Sequence, residues 1–163
     1  MTDDPTLGGI LALDLARNAG WAYGLAGTER QRARSFGVWD LGSAARGGNG
    51  AVFATLADWL GDAFKMYRPS LVIMEAPLPP GGQTHANTAR LLLGYCNVVE
   101  LLCYRWSIPI REQGAATVRK RILGTARVEK PDIVRWCQGR GYDVADHNAA
   151  DAIVLWHFAE QFR

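Results

Sequence analysis

Ile10-Leu11-Ala12-Leu13-Asp14 is a short apolar run that ends on a carboxylate. Two more short runs with aromatic residues follow it, GWAYGL at residues 20–25 and SFGVWDL at residues 35–41, and turn-like or polar segments separate the three. Short apolar runs bounded by Gly, Asn and charged residues are typical of strands joined by hairpins. The beginning of the chain therefore predicts a three-stranded antiparallel meander.

The rest of the chain alternates helical and extended patterns. After residues 42–50, whose four glycines predict a flexible connection, apolar spacing predicts a helix of about fifteen residues from Val52. Further patterns predict a strand at 71–75, a long helix at 84–106, an extended segment from 107, and helices at 115–123, 131–138 and 149–162. This order predicts one α/β domain over residues 1–163, with a mixed five-stranded sheet of meander and parallel strands flanked by helices.

Composition narrows the class of protein. With 48% hydrophobic and 21% charged residues among 163, the chain is typical of a globular protein, and disorder is excluded. Its three cysteines form no Cys-x-x-Cys pair, which argues against a disulfide scaffold and structural zinc. The acidic N-terminus is unlike a signal peptide, and no run approaches the roughly 20 apolar residues that span a bilayer. We expect a cytoplasmic protein without a membrane role.

Three carboxylates lie in strongly apolar surroundings. Asp14 and Glu75 end apolar strands, and Asp151 lies within the apolar stretch 149–155 of the last helix. Each alone has an ordinary explanation, because a strand-end Asp can cap a turn, a Glu can pair with an Arg, and an Asp near a helix start favours the helix dipole. Three together point to a shared hard cation such as Mg²⁺, because burying isolated charges is costly and oxygen clusters bind such ions.

The sequence resembles the RuvC family of Holliday junction resolvases, in the ribonuclease H-like superfamily. The resemblance rests on the order of ILALD at 10–14, GWAYG at 20–24, LVIME at 71–75 and AADA at 149–152, with ATVRKRILGTARVEK at 116–130 between the last two. It implies a ribonuclease H-like fold. It also implies that Asp14, Glu75 and Asp151 hold two Mg²⁺ or Mn²⁺ ions, which activate the attacking water and stabilise the leaving 3′ oxygen.

The fourth metal ligand departs from the family pattern. The family has an Asp or His three residues before the last Asp, where this chain has Asn148. We take Asn148 as the equivalent ligand, His147 as a ligand or proton-transfer group, and Asp146 as a third candidate. His147 has an equally simple alternative as a helix-start residue without a catalytic role.

Charge is distributed unevenly. The net charge is only +2, yet residues 111–140 hold eight basic residues against three acidic ones, which predicts a DNA-phosphate surface. The candidate DNA contacts flank Gly124 and are Arg119, Lys120, Arg127 and Lys130. Arg135 and Arg140 are interpreted as solvated surface residues. The segment after Glu75 lacks the aromatic residue associated with junction opening in the family, and Leu78 is the candidate wedge between bases.

These features predict a metal-dependent endonuclease that cleaves Holliday junctions or related branched DNA. The apolar helix at 84–106, with Cys96 and Cys103 seven residues apart, predicts a homodimer seam. The first alternative is a branched-DNA-binding homologue with weakened catalysis, because Asn148 replaces an acid. A second alternative, an actin-like ATPase fragment, would explain the strand-end Asp and glycine-containing hairpin, but the chain lacks a second Gly-rich phosphate loop.

Overall fold

A computed structural model describes residues 8–27, 32–77 and 85–162. The elements occur in the order of three strands, a 3₁₀ helix, and then αβαβααα. The strands are β1 (Gly9–Asp14), β2 (Asn18–Leu25), β3 (Ser35–Asp40), β4 (Leu71–Glu75) and β5 (Ile110–Gln113). The helices are the 3₁₀ helix (Leu41–Gly47), α1 (Gly48–Tyr67), α2 (Ala86–Arg105), α3 (Ala115–Leu123), α4 (Lys130–Gly139) and α5 (His147–Gln161).

The strands form one mixed sheet in the order β3-β2-β1-β4-β5. β1 pairs with β2 and β2 with β3 in antiparallel fashion, whereas β1–β4 and β4–β5 are parallel. The predicted meander and parallel strands are therefore confirmed, and β1 lies at the centre of the sheet. Its central place explains its sequence, since a strand covered on both faces is apolar at nearly every position.

Helices cover both faces of the sheet. Ile10 and Ala12 of β1 pack with the α3, α4 and α5 side, whereas Leu11 and Leu13 pack with the α1 and α2 side. This split follows from the strand geometry, because successive side chains point to opposite faces. The helix α5 is buried along most of its length, including Trp156, which donates from Nε1 to the carbonyl oxygen of Gly24 at 3.3 Å.

The connection over residues 42–50 differs from its prediction. It is not a flexible link, because the 3₁₀ helix occupies most of it and α1 begins already at Gly48. The Asp40 side chain caps the 3₁₀ helix by accepting from the Ser43 backbone N–H at 3.1 Å, and Leu41 is fully buried. One cap and one anchored apolar side chain thus order a glycine-rich segment. None of the described helices is long and apolar enough to cross a membrane.

Candidate functional site

Asp14 and Glu75 are brought together by the parallel pairing of β1 and β4. Each is the last residue of its strand, and the register that pairs Leu13 with Met74 places the two carboxylates side by side. Alternation along the strands directs both side chains to the sheet face on which Ala12 and Ile73 lie, the face covered by α5. Neighbouring strands are about 4.8 Å apart, so these acids are neighbours by construction.

Asp151 reaches the same place from the first turns of α5. The helix starts very close to β2, because a Cβ on Gly20 would lie 1.9 Å from the Asn148 carbonyl oxygen. Only a residue without a side chain permits this approach. The result is a cluster of three acids, Asp14, Glu75 and Asp151, contributed by β1, β4 and α5.

The electrostatics of the cluster reflect crowding and burial. The pKa of Asp14 is raised to about 8, first by burial and then by the negative charges of Glu75 and Asp151. Burial is also the main cause that raises the pKa of Glu75 and of Asp151. These raised pKa values mean that the ionised carboxylates are disfavoured in this site. A bound cation would stabilise them. Its donors are carboxylate oxygens, the chemistry that Mg²⁺ and Mn²⁺ prefer.

A guanidinium lies within this cluster. Arg119 of α3 donates from Nη2 to Oδ1 of Asp151 at 3.2 Å, and the side chains are 29% and 12% exposed, respectively. The positive charge of Arg119 also acts against the raised pKa of Asp14 and of Glu75. The sequence predicts Arg119 as a DNA contact, and the structure shows a partner for it that the sequence does not reveal.

The acids do not form a closed cage. Among the residues that the structure describes, no three His, Cys, Asp or Glu side chains converge into a ready-made metal centre. Asp14, Glu75 and Asp151 are near enough to perturb one another's pKa, but Asp151 is held by Arg119. Simultaneous ligation by all three acids therefore requires side-chain movement.

The three candidates for a fourth ligand lie at the start of α5. Asp146 is its N-cap, and its Oδ1 accepts from the backbone N–H groups of Asn148 at 2.7 Å and Ala149 at 3.3 Å. His147 and Asn148 form the first helical positions, and the Nε2 of His147 lies 3.1 Å from Nζ of Lys130. His147 is also close enough to Asp151 to oppose the rise in pKa that burial causes at that carboxyl. The Asp146 carboxylate therefore already caps α5. Asn148 and His147 remain predicted metal ligands.

The other predicted DNA contacts are solvent-accessible. Lys120 and Arg127 are exposed, as is Lys130 at the start of α4. Arg135 pairs with Asp132, and Arg140 lies 3.6 Å from the centre of the Trp136 ring, in agreement with their interpretation as surface residues. Leu78 lies outside the described residues.

The architecture has close counterparts among solved structures. A Thermus thermophilus RuvC structure matches with a TM-score of 0.72 at 15% sequence identity, over 94% of this chain and 96% of that one. The same organism's RuvC in complex with a Holliday junction substrate matches with a TM-score of 0.78 at 13% identity, over the same shares. The chain has the RuvC fold. The expected ribonuclease H-like architecture is thereby confirmed.

A more distant counterpart is the yeast mitochondrial Holliday junction resolvase Ydc2. It matches with a TM-score of 0.60 at 12% identity, over 91% of this chain and 75% of that one. No protein-family profile and no curated sequence matches the chain. The RuvC fold accounts for where Asp14, Glu75 and Asp151 lie, whereas their chemistry rests on the side chains themselves.

Proposed function

We propose that this protein is a metal-dependent endonuclease that hydrolyses branched DNA, with four-way junctions as the first substrate to test. The observation that carries the proposal is the meeting of Asp14, Glu75 and Asp151 where β1 and β4 end in a RuvC-fold sheet. The likeness to a RuvC in complex with a Holliday junction substrate supports the choice of DNA.

In the proposed mechanism the acidic residues bind metal and the basic residues bind DNA. Asp14, Glu75 and Asp151 would hold two Mg²⁺ or Mn²⁺ ions, and bound there these would supply a lowered pKa for the attacking water and positive charge for the leaving 3′ oxygen. Lys120 and Arg127, both exposed, bind DNA phosphates without reading sequence. Asn148 and His147, at the start of α5, are the further ligands that we propose, and His147 is also the proposed proton-transfer group.

Cleavage of labelled DNA tests this proposal. The wild-type protein should cut a four-way junction or a flap when Mg²⁺ or Mn²⁺ is added, and Asp14→Asn should bind the same DNA but release no product. Asp58→Asn is the matched control, since it removes the same charge from an exposed position of α1. Full activity of Asp14→Asn would refute the mechanism.

A second candidate is a branched-DNA-binding protein with weakened catalysis. Two observations favour it: Asn148 supplies no charge, and Arg119 already neutralises Asp151. Tight junction binding without product at every concentration of Mg²⁺ and Mn²⁺ supports this candidate over the nuclease. Product that depends on metal excludes it.

We also propose that two copies associate through α2. The structure corrects one part of the predicted seam, because Cys96 and Cys103 are buried in the core of their own chain. The exposed apolar side chains of α2 are instead Leu93, Leu101 and Tyr104, which are 52%, 50% and 86% exposed. At about 100° per residue they share one face of the helix. A symmetric pair of active sites suits a substrate with two equivalent strands.

A further inference from the structure

We infer that Arg119 takes the place of a divalent cation in the metal-free protein, and that its hold on Asp151 sets how weakly the site binds metal. The inference rests on the proposed metal site and concerns its regulation. Arg119 is thereby a positioning residue that acts through Asp151.

The geometry makes Arg119 a direct competitor for a metal. Its Nη2 donates a hydrogen bond to Oδ1 of Asp151 at 3.2 Å. In the proposed site the same oxygen would bind a metal ion. The contact is partly shielded, since the Asp151 side chain is only 12% exposed and that of Arg119 29%. A charge-assisted contact in such surroundings is stronger than the same contact on an open surface.

The charge balance identifies the same residue. Within residues 8–27, 32–77 and 85–162, three ion pairs form, and the pair with Arg119 is the one that involves an acid of the cluster. Lys130 is also nearby, but it is exposed and its Nζ faces the His147 ring at 3.1 Å. Arg119 is therefore the cation that offsets the acids directly.

The local fold allows Arg119 to leave. Its neighbour Val118 is buried and anchors α3 against the core, so the helix stays in place when the side chain moves. A long arginine side chain can swing from Asp151 to another acceptor without a backbone change. A divalent ion that enters must take Asp151 from Arg119 and lie near its positive charge, and both effects weaken metal binding.

Titration with Mn²⁺ alone, without DNA, tests the inference. Arg119→Gln should bind Mn²⁺ about fivefold or more tightly than the wild type, as measured by calorimetry, because its competitor is gone. The same variant should unfold at a lower temperature without metal, since its acids lose their counter-charge. Arg46→Gln is the matched control, because it removes the same charge from an exposed position of the 3₁₀ helix and should leave both values unchanged.

Tighter Mn²⁺ binding by Arg119→Gln distinguishes competition for Asp151 from a merely structural role of Arg119. If the substitution only damaged the site, Mn²⁺ would bind more weakly. Unchanged or weaker Mn²⁺ binding by Arg119→Gln overturns the inference. If that variant fails to fold, the side-chain NMR signals of Arg119 in the wild-type protein decide. They should shift on addition of Mg²⁺ as the ion pair breaks, and unchanged signals under saturating Mg²⁺ overturn the inference.

The proposed metal site is checked in the same series. If the wild-type protein binds Mn²⁺ and Asp14→Asn does not, the proposed metal site is supported. An Mn²⁺ affinity of Arg119→Gln equal to that of the wild type would then refute only the role of Arg119. Absence of Mn²⁺ binding to the wild-type protein refutes both.

Discussion

Asp14 has an unusual proton affinity because of where its strand ends. Burial and the nearby charges of Glu75 and Asp151 raise its pKa from 3.8 to about 8. In the unfolded chain the same carboxyl loses its proton near its ordinary pKa. Between these two values the folded, metal-free protein binds a proton that the unfolded chain does not, so protonation stabilises the fold.

The stability of the metal-free protein should therefore fall as pH rises toward 8. A group whose pKa is raised on folding stabilises fully at pH values below the unfolded pKa and ceases to do so as pH passes the folded pKa. We expect the melting temperature in a chelator to decrease from pH 6.5 to pH 8. Asp14→Asn should lose most of this decrease, because its amide does not titrate.

The pH range and the control are set by other residues. Burial lowers the pKa of His157 from 6.5 to about 4, so its imidazole is neutral in the folded protein throughout this range. The unfolded imidazole still titrates near pH 6.5 and gives a slope of opposite sign there, which the wild type and Asp14→Asn share. Asp58→Asn should keep the wild-type slope. Equal slopes for Asp14→Asn and the wild type would show that Asp14 titrates normally.

At the scale of elements, the site depends on how closely α5 approaches the sheet. Gly20 of β2 permits that approach, since a Cβ there would lie 1.9 Å from the Asn148 carbonyl oxygen and 2.4 Å from its carbonyl carbon. These are backbone atoms of α5, which cannot rotate away as a side chain could. The start of α5, and Asp151 with it, is thus positioned by a residue that has no chemistry of its own.

Gly20→Ala should destabilise the protein by about 1–3 kcal/mol, the usual cost of overpacking. Urea unfolding measures this as a lower midpoint. Gly61→Ala is the matched control: Gly61 lies within α1 with no atom near the added methyl group, and alanine there should stabilise the helix by about 0.5–1 kcal/mol. A Gly20→Ala protein as stable as the wild type would contradict the close approach.

Local patterns in the sequence are enough to predict most elements. Strands such as 10–14 and 71–75 are short apolar runs, and their parallel pairing follows from the intervening helix, so the sequence alone predicts that Asp14 and Glu75 lie together. The 3₁₀ helix escapes prediction because glycines dominate its neighbourhood, whereas its order comes from the Asp40 cap and buried Leu41. That burial depends on contacts distant in sequence.

The predicted site is incomplete because the ion pair of Arg119 also depends on a contact between residues that are distant in sequence. Arg119, Lys120 and Arg121 are adjacent basic residues, and nothing local distinguishes the first from the others. The partner of Arg119 is 32 positions away on another helix, and only the packing of α3 on α5 brings them together. A carboxylate within an apolar run stands out in the sequence as a candidate site residue. An arginine among other basic residues does not, so its role could not be predicted.

On the scale of the whole molecule, the two helical layers have different surfaces. The exposed basic residues Lys120, Arg127 and Lys130 lie on the side of α3 and α4, and Lys130 is near enough to Asp14 and Asp151 to act on their pKa. The α2 side, on the opposite face of the sheet, instead exposes Leu93, Leu101 and Tyr104. One layer is thus suited to DNA phosphates and the other to a second copy of the chain.

A charge introduced into the α2 face should therefore dissociate the proposed dimer. In sedimentation velocity the wild type should behave as a dimer at micromolar concentration, whereas Leu93→Glu or Leu101→Glu should sediment as a folded monomer, because symmetry brings each new carboxylate into an apolar contact. Ala116→Glu is the control, since it adds the same carboxylate at an exposed position of α3, on the opposite face of the sheet. A wild-type monomer, or dissociation of Ala116→Glu to the same extent, would contradict an α2 interface. Circular dichroism of each variant distinguishes a lost interface from a lost fold.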